Sequence, residues 1–513
     1  FVTDMKKILI PALATLLLLA SACSQKSEYT NVIPMQAETV IAIQPAQLAD
    51  KAELDNASLQ KLKDLLKKDT DATLQEYYET LLDDPARSGI DFESPIYLFN
   101  IRPAVNSGFI AAAKVADEAN VQTLVDALQK QGLVSGTTST DGGYTLTEGK
   151  LLMAYNASTL LMLGAQEGPQ VAALKDSIAS WMQQTEAQSF AARPEFKQMQ
   201  QQTGDIKTIY SYASLPKSYK SIAGYQMPKG FDLTGLKFIA GLSFEKGSID
   251  LHLAYHTDDE QIKALLTKQA QVYRPIKNTF INYFPQSTLM LASAGLNGNA
   301  LYDLLLEMTP MGEELSAKDA EVVKQLLSMF EEDFTFGMVN FTLNKLPSLL
   351  AYATVKDAAP LKTLLDNPEL KKQLGRGNDI VQLDEDRYVW KSRNFNLFFG
   401  VQDKQFYATN DELLYRDLFK KCEPSVAQNE YAADIKGKNG FAVIDIEAVC
   451  QLPIIKMLSG MGGGKYAAVL TVLDRIAYLK SENNETGNYV TLQLKDQDTN
   501  SLKQIIELAK AAL

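Results

Sequence analysis

One twelve-residue stretch of this chain occurs twice. Val115-Ala116-Asp117-Glu118-Ala119-Asn120-Val121-Gln122-Thr123-Leu124-Val125-Asp126 returns as Val355-Lys356-Asp357-Ala358-Ala359-Pro360-Leu361-Lys362-Thr363-Leu364-Leu365-Asp366, with six of the twelve positions identical and no gap. Such a recurrence constrains the fold strongly, because a duplicated unit must build one supersecondary arrangement twice. Its surroundings recur in the same order. Strand-like runs precede each copy, Ile96–Ile101 and Phe109–Val115 before the first, Phe334–Phe341 and Leu349–Val355 before the second. Ile33-Pro34 followed by Thr39–Ile43 matches Phe284-Pro285 followed by Thr288–Ala292. Three short runs, Tyr144–Leu146, Leu151–Tyr155 and Thr159–Leu163, match Tyr388–Trp390, Phe395–Phe399 and Gln405–Ala408. Each set leads to a predicted helix, Pro169–Trp181 and Leu413–Lys421. Thr208–Ala213 matches Gly440–Ile446, and a final strand and helix, Ser248–Tyr255 and Asp259–Ala270, match Asn488–Leu494 and Asn500–Ala512. The expected organisation is two tandem lobes, 31–275 and 276–513, without a Gly/Ser linker at the join.

The first half carries extra helix. Leu59, Leu62, Leu65 and Leu66 fall on one helical stripe, and Ala72–Asp84 continues to a stop at Pro85. Ala317–Phe330 plays that part in the second half, with Ser316 as its N-cap. Pro360 marks a helix start, where its missing N–H costs little. Closely spaced strands joined by turns such as Asp141-Gly142-Gly143 predict an α+β fold, with largely antiparallel or mixed sheets and helices packed on them.

The beginning of the chain reads differently. Met5-Lys6-Lys7, the apolar run Ile8–Leu19 and then Ala20-Ser21-Ala22-Cys23 have the order of a secretory signal, 5–22. The apolar run is shorter than the roughly 20 residues that span a bilayer, and Pro11 interrupts it. A cysteine at the cut resembles the lipobox of bacterial lipoproteins, which makes Cys23 the lipidation site. Residues 23–30 form a polar tether that reaches about 25 Å when extended. Ser24 stands where an inner-membrane retention signal would have aspartate, and Glu28 is the one acid in the segment Ser24–Thr30. The expectation is an outer-membrane anchor on the periplasmic face.

An exported, acidic chain has few uses for nucleic acid. The net charge is −12, so phosphate backbones are repelled and no nucleic-acid partner is expected. The partners expected are the membrane, through the anchor, and an envelope protein. Cys422 and Cys450 would sit in an oxidising compartment; a disulfide between them is one reading and small buried thiols the other.

The lipobox, the Ile33-Pro34 opening, the Gly89-Ile90-Asp91 turn and the full-length spacing together resemble the DUF4836 proteins of Bacteroidota, and more distantly the DUF3352 group. The resemblance implies an exported lipoprotein of uncharacterised function and carries no catalytic residue.

The residues themselves offer little catalysis. The chain has two histidines, in Ile249-Asp250-Leu251-His252-Leu253-Ala254-Tyr255-His256. Alternation puts Asp250, His252 and His256 on one strand face, with the imidazoles roughly 13 Å apart, too far to share a metal. An exposed polar face is the simpler reading of these three. No Gly-x-Ser-x-Gly elbow is present. Asp384-Glu385-Asp386 reads as a turn rather than a calcium site. Gly460-Met461-Gly462-Gly463-Gly464-Lys465 lacks both the first glycine and the Ser/Thr of a phosphate loop, so a connector between helices is expected. Tyr210 and Tyr212 share a strand face and could line a groove. No cofactor or metal is expected. The reading is a non-enzymatic binding or scaffolding lipoprotein; the alternative is a carboxylate-dependent hydrolase of envelope or dietary glycans.

Overall fold

Strand-forming runs rich in β-branched and aromatic residues become strands almost where their alternation places them. A computed structural model describes residues 29–54, 60, 79–101, 109–164, 170–214, 232–308, 316–343, 345–366, 378–461, 464–484 and 487–512. The signal segment 5–22, Cys23, the tether up to residue 28, the Leu59–Leu66 stripe and most of Ala72–Asp84 lie outside these residues. The architecture is α+β, built on antiparallel strand pairs with helices packed against them. Two compact units divide it: one runs to Gln201 and takes Asp205–Ile209, the other takes Gln202–Gly204 and everything from Tyr210 onward.

The first unit contains β1 (Thr39–Ile43), β2 (Ile96–Asn100), β3 (Ile110–Lys114), β4 (Val134–Ser139), β5 (Thr145–Gly149), β6 (Leu151–Tyr155) and β7 (Thr159–Gly164); β8 (Ile206–Ser211) starts within it and pairs with β1. Its ladder runs β4-β5-β6-β7-β3-β2-β1, each pair antiparallel. Helix α1 (Pro45–Ala52) follows β1, and α2 (Glu118–Lys130) follows β3. Asp117 caps α2 by accepting from the Asn120 N–H at 3.1 Å. Val121, Val125 and Leu128 of α2 bury against Val115, Val134, Met153 and Tyr155. Gly89 holds the entry to this layer at φ +75°, and a Cβ there would lie 2.3 Å from the Asp117 carbonyl. After β7 comes α3, Gln170–Met182, whose Trp181 meets Phe99 edge-on at 6.2 Å. A short α4 (Pro194–Gln201) closes the unit over Phe190 and Phe196.

The second unit contains β9 (Lys237–Glu245), β10 (Ser248–His256), β11 (Tyr273–Arg274), β12 (Met290–Asn297), β13 (Phe330–Asn340), β14 (Ser348–Val355), β15 (Asp379–Asp384), β16 (Arg387–Lys391), β17 (Asn396–Gln402), β18 (Gln405–Thr409), β19 (Gly440–Asp445), β20 (Ile476–Asn484) and β21 (Gly487–Leu494). Here the ladder runs β15-β16-β17-β18-β14-β13-β12-β19-β20-β21-β10-β9, again antiparallel throughout. Its helices are α5 (Glu260–Val272), α6 (Gly298–Met308), α7 (Ala317–Ser328), α8 (Ala359–Leu365), α9 (Glu412–Arg416), α10 (Ile446–Cys450), α11 (Pro453–Met461), α12 (Gly464–Leu473) and α13 (Ser501–Ala512). Ser316 caps α7 through the Asp319 N–H, and Pro360 sits in the first turn of α8, as the sequence predicts.

The strand order β4-β5-β6-β7-β3-β2-β1-β8 of the first part therefore returns as β15-β16-β17-β18-β14-β13-β12-β19. Backbone details return with it. The Phe190 N–H donates to the Ile33 carbonyl at 2.8 Å, and the Val426 N–H donates to the Phe284 carbonyl at 2.9 Å. Pro34 bridges Ser189, and Pro285 bridges Ser425. Compactness does not divide the chain at 275, because β9 and β10 join the second unit through β21. That seam pairs Ser248 with Gln493 through Leu253 with Asn488, centred on Leu251 opposite Val490.

Three local expectations need correction. The helix expected over Leu413–Lys421 ends at Arg416 as α9, since the chain turns at Phe419 into φ +60°. The helix expected to reach Phe330 stops at Ser328, and Phe330 begins β13. Tyr212 is not on a strand: β8 ends at Ser211, Tyr212 starts a 3-10 turn, and Tyr210 donates to the Ser214 carbonyl. Of the Gly460–Lys465 connector, Met461 ends α11 and Gly464 begins α12; residues 462–463 and the loop 224–230 lie outside the described residues.

Candidate binding cleft

The polar face of β10 is turned into the sheet at Asp250 and His252, although His252 Nε2 is buried there without a hydrogen-bond partner. Asp250 accepts from Ser248 and Thr491 hydroxyls, each at 2.7 Å. His252 lies flat on Tyr489, with ring centroids 4.2 Å apart and planes 6° apart. His256 Nε2 is 3.6 Å from the Asp258 carboxylate. The pattern places these side chains on one face as expected, but that face is half-buried and knits β10 to β21 rather than standing open. Among the described residues, no group of three or more His, Cys, Asp or Glu is placed to hold a metal ion.

Cys422 and Cys450 are free thiols, so the disulfide reading is not the one realised here. Cys422 Sγ donates to the Tyr283 carbonyl at 3.4 Å, and Cys450 ends α10. Burial pushes both thiols up from their ordinary range, which lowers their thiolate fraction.

Cys422 leads to the cleft. Three segments distant in sequence meet there: Tyr283–Ser287 before β12, Leu350 and Tyr352 on β14, and 413–424 after β18. They enclose about 730 Å³. Tyr352 forms the floor; it is buried, with its ring 5.5 Å from Phe280 and 5.3 Å from both Tyr283 and Phe419. Burial raises its phenol above the ordinary tyrosine range, so it stays protonated. The wall is held by backbone: Gln286 N–H donates to the Pro424 carbonyl at 3.1 Å, and Cys422 N–H to the Asn282 carbonyl at 2.9 Å.

Asp411 sets the opposite wall. It caps α9 by accepting from Leu413 N–H at 2.8 Å and Leu414 N–H at 3.4 Å, and it accepts the Ser348 hydroxyl at 2.7 Å. Burial pushes its carboxyl up, but these hydrogen bonds more than offset that and leave it below the usual carboxylate range. The cap turns Leu413 outward, 71% exposed, at the mouth. Lys420, Lys421, Asp417 and Glu423 complete a rim of both signs, with Asp417 and Lys420 3.6 Å apart.

The arrangement can hold a molecule with an apolar body and polar ends. It has a poor nucleophile in Cys422 and no histidine among its lining residues. The sequence pattern marked Phe284-Pro285 as a corner but not the cleft beside it. The one local signal was Leu413, an apolar residue followed by Asp417-Leu418-Phe419-Lys420-Lys421, where a helix-breaking turn was not legible.

A family model described as a domain of unknown function, DUF4836, matches residues 29–502. The chain belongs to that family. No curated protein matches it. Among solved structures, crystal form IV of TP0453 aligns at 10% identity and a TM-score of 0.26, over 44% of this chain and 79% of that one. Crystal form III of TP0453 aligns at 10% identity and 0.25, over 48% and 87%. At that level the likeness carries no argument about this chain. Among the described residues, no helix is long and apolar enough to cross a membrane.

Proposed function

We propose that this protein is a non-enzymatic lipoprotein of the bacterial cell envelope, which seats a segment of a partner protein in the 283–287, 350–352, 413–424 cleft. The cleft carries the proposal: an aromatic floor, an outward leucine and a rim of both charges form a binding surface without a nucleophile–base pair. The partner segment supplies an apolar side chain to Tyr283 and Tyr352 and charged groups to Lys421 and Glu423. Anchoring through Cys23, after a leader over 5–22, rests on the order of charged, apolar and small residues. Ser24 favours the outer membrane, with the body on the periplasmic face. The repeated strand order and repeated corner bonds support a tandem duplication, with halves near 31–275 and 276–513.

The test is affinity purification of the tagged protein from its own cells. The native chain should recover defined envelope proteins; Leu413→Asp should lose them while remaining lipidated, and Cys23→Ala should lose those that need the membrane. Recovery of the chain alone, or recovery unchanged by Leu413→Asp, rules the cleft out as the docking place. One observation favours the second reading, a glycan hydrolase: Asp417 and Glu423 line the same cleft. Glycan turnover abolished by Asp417→Asn or Glu423→Gln would establish it instead.

A further inference from the structure

We infer that the seam between β10 and β21 is a self-complementary, twofold interface, and that its further partner is a second copy of this chain, taken by exchange of strands during folding. Both strands lie in the second unit. Each is the second strand of a hairpin, β9–β10 and β20–β21. The first turn is closed by Glu245 opposite Ser248, the second by Asn484 opposite Gly487. Counted from the turns, Ile249 corresponds to Asn488, Leu251 to Val490 and Leu253 to Leu492. Each strand then leads to a capped helix. Asp259 accepts from the Gln261 and Ile262 N–H groups at the start of α5, and Asn500 from the Leu502 N–H at the start of α13.

The seam joins these counterparts to each other. Leu251 lies opposite Val490, its own counterpart. To one side Ile249 lies opposite Leu492; to the other, Leu253 lies opposite Asn488, the same pair with its roles exchanged. Asp250 opposite Thr491 and His252 opposite Tyr489 are related in the same way. A contact in which one residue meets another and their counterparts meet in reverse is isologous, the form in which two copies of one chain close a dimer. A local twofold axis therefore passes through the Leu251–Val490 pair.

The side chains at the axis select the mixed pairing. The Thr491 hydroxyl donates to Asp250 at 2.7 Å, and His252 stacks on Tyr489 at 4.2 Å. Pairing β21 with another β21 would set Tyr489 against Thr491 and keep neither contact. No turn ties β10 to β21: β10 runs on into α5, and β21 arrives from β20. Each strand meets the other as a separate piece of chain, and the same side chains receive it from its own molecule or from another. Exchange is a low-cost route to a dimer and a characteristic event in chains built of repeats. In that dimer β10 of each molecule lies on β21 of the other. The inference takes the proposed duplication as its frame and does not involve the cleft.

The experiment uses the chain from Ser24, which retains every described residue, since these start at Tyr29. Cys422→Ser and Cys450→Ser remove the native thiols, and each chain then carries either Leu251→Cys or Val490→Cys. The two chains are mixed, unfolded and refolded together under reducing conditions, then oxidised. A disulfide joining one of each forms where β10 of one molecule faces β21 of the other. The same chains, folded separately before mixing and oxidation, give the background. A strand on the same chain competes at an effective concentration on the order of 1 mM, so about one chain in ten should exchange at about 0.1 mM, and proportionally fewer on dilution. Thermal melts check folding; Ile249→Cys and Leu492→Cys supply a second pair across the seam should either first variant not fold. A mixed covalent dimer well above background that falls with dilution is the expected result. Mixed dimer at background, or covalent dimers of like with like alone, overturns the inference and leaves docking at the cleft untouched.

Discussion

The two places that follow β7 and β18 invite comparison. Each comes after the same ladder order, and each leads to the same corner, Ile33-Pro34 in one unit and Phe284-Pro285 in the other. After β7 the chain builds a helix of 13 residues, α3, and buries Leu174, Ile178 and Trp181. After β18 it builds five residues, α9, then a turn with Phe419 at φ +60° that lays the Phe419 ring on Tyr283, Tyr352 and Tyr407. The first site fills its space with side chains of the helix. The second fills the floor only, with Phe419, and leaves a cleft above it. Where a scaffold is used twice, the departure from the shared plan is the place to look for function.

The largest effect should come from removing a buried ring at each site, the cleft floor Tyr352 in one and the helix residue Trp181 in the other. Tyr352→Ala and Trp181→Ala should each cost about 3–5 kcal/mol in denaturant unfolding, since both delete a buried ring. If Tyr352→Ala were nearly neutral, the cleft floor would not be part of the core and the comparison would break. Next, Gly89→Ala should cost about 2 kcal/mol, because a Cβ at φ +75° meets the Asp117 carbonyl and the Val121 amide, both backbone. Asp411→Ala should cost about 1 kcal/mol through the lost α9 cap.

The Asp411 contribution also has a pH signature. Its folded carboxyl is held below its ordinary range, so the stability it supplies is complete above the unfolded value and is lost as pH falls through the lower folded one. The stability gap between the native chain and Asp411→Ala should therefore shrink on acidification, followed by unfolding curves at a series of pH values. A gap that widened in acid would overturn the assigned cap. The smallest effect on stability should be Leu413→Asp, within about 0.5 kcal/mol, because an exposed side chain gives up little on replacement. Its value lies in separating folding from docking at the cleft.

The fold was legible wherever a local rule decides it. Strand alternation located β2, β3, β6, β7 and β14; Ser316 and Pro360 marked helix starts by what they offer to a first turn. Matching Ile33-Pro34 with Phe284-Pro285 anticipated two corners that make the same backbone bond. The early end of α9 was not legible, because Leu413, Leu414 and Leu418 keep helical spacing and the turn is imposed by aromatic packing from β14 and β18. The cleft could not be read for the same reason: its walls lie some 60 to 140 residues apart and meet only once the ladder register is set. Asp250 and His252 looked like a solvent-facing polar stripe because their partners Thr491 and Tyr489 come from the far end of the chain.

That last pairing bears on how the molecule comes into being. Leu251 and Val490 are partners across a separation of roughly 240 residues, so the seam between β10 and β21 has a very high contact order. Until the final strands are available, the β9–β10 hairpin has an unpaired edge, and its exposed backbone is a template for any other extended chain. β21 thus joins β20 to β10 only late in synthesis, and a chain truncated before Gly487 would hold a long-lived open edge at β10 through the whole of its folding.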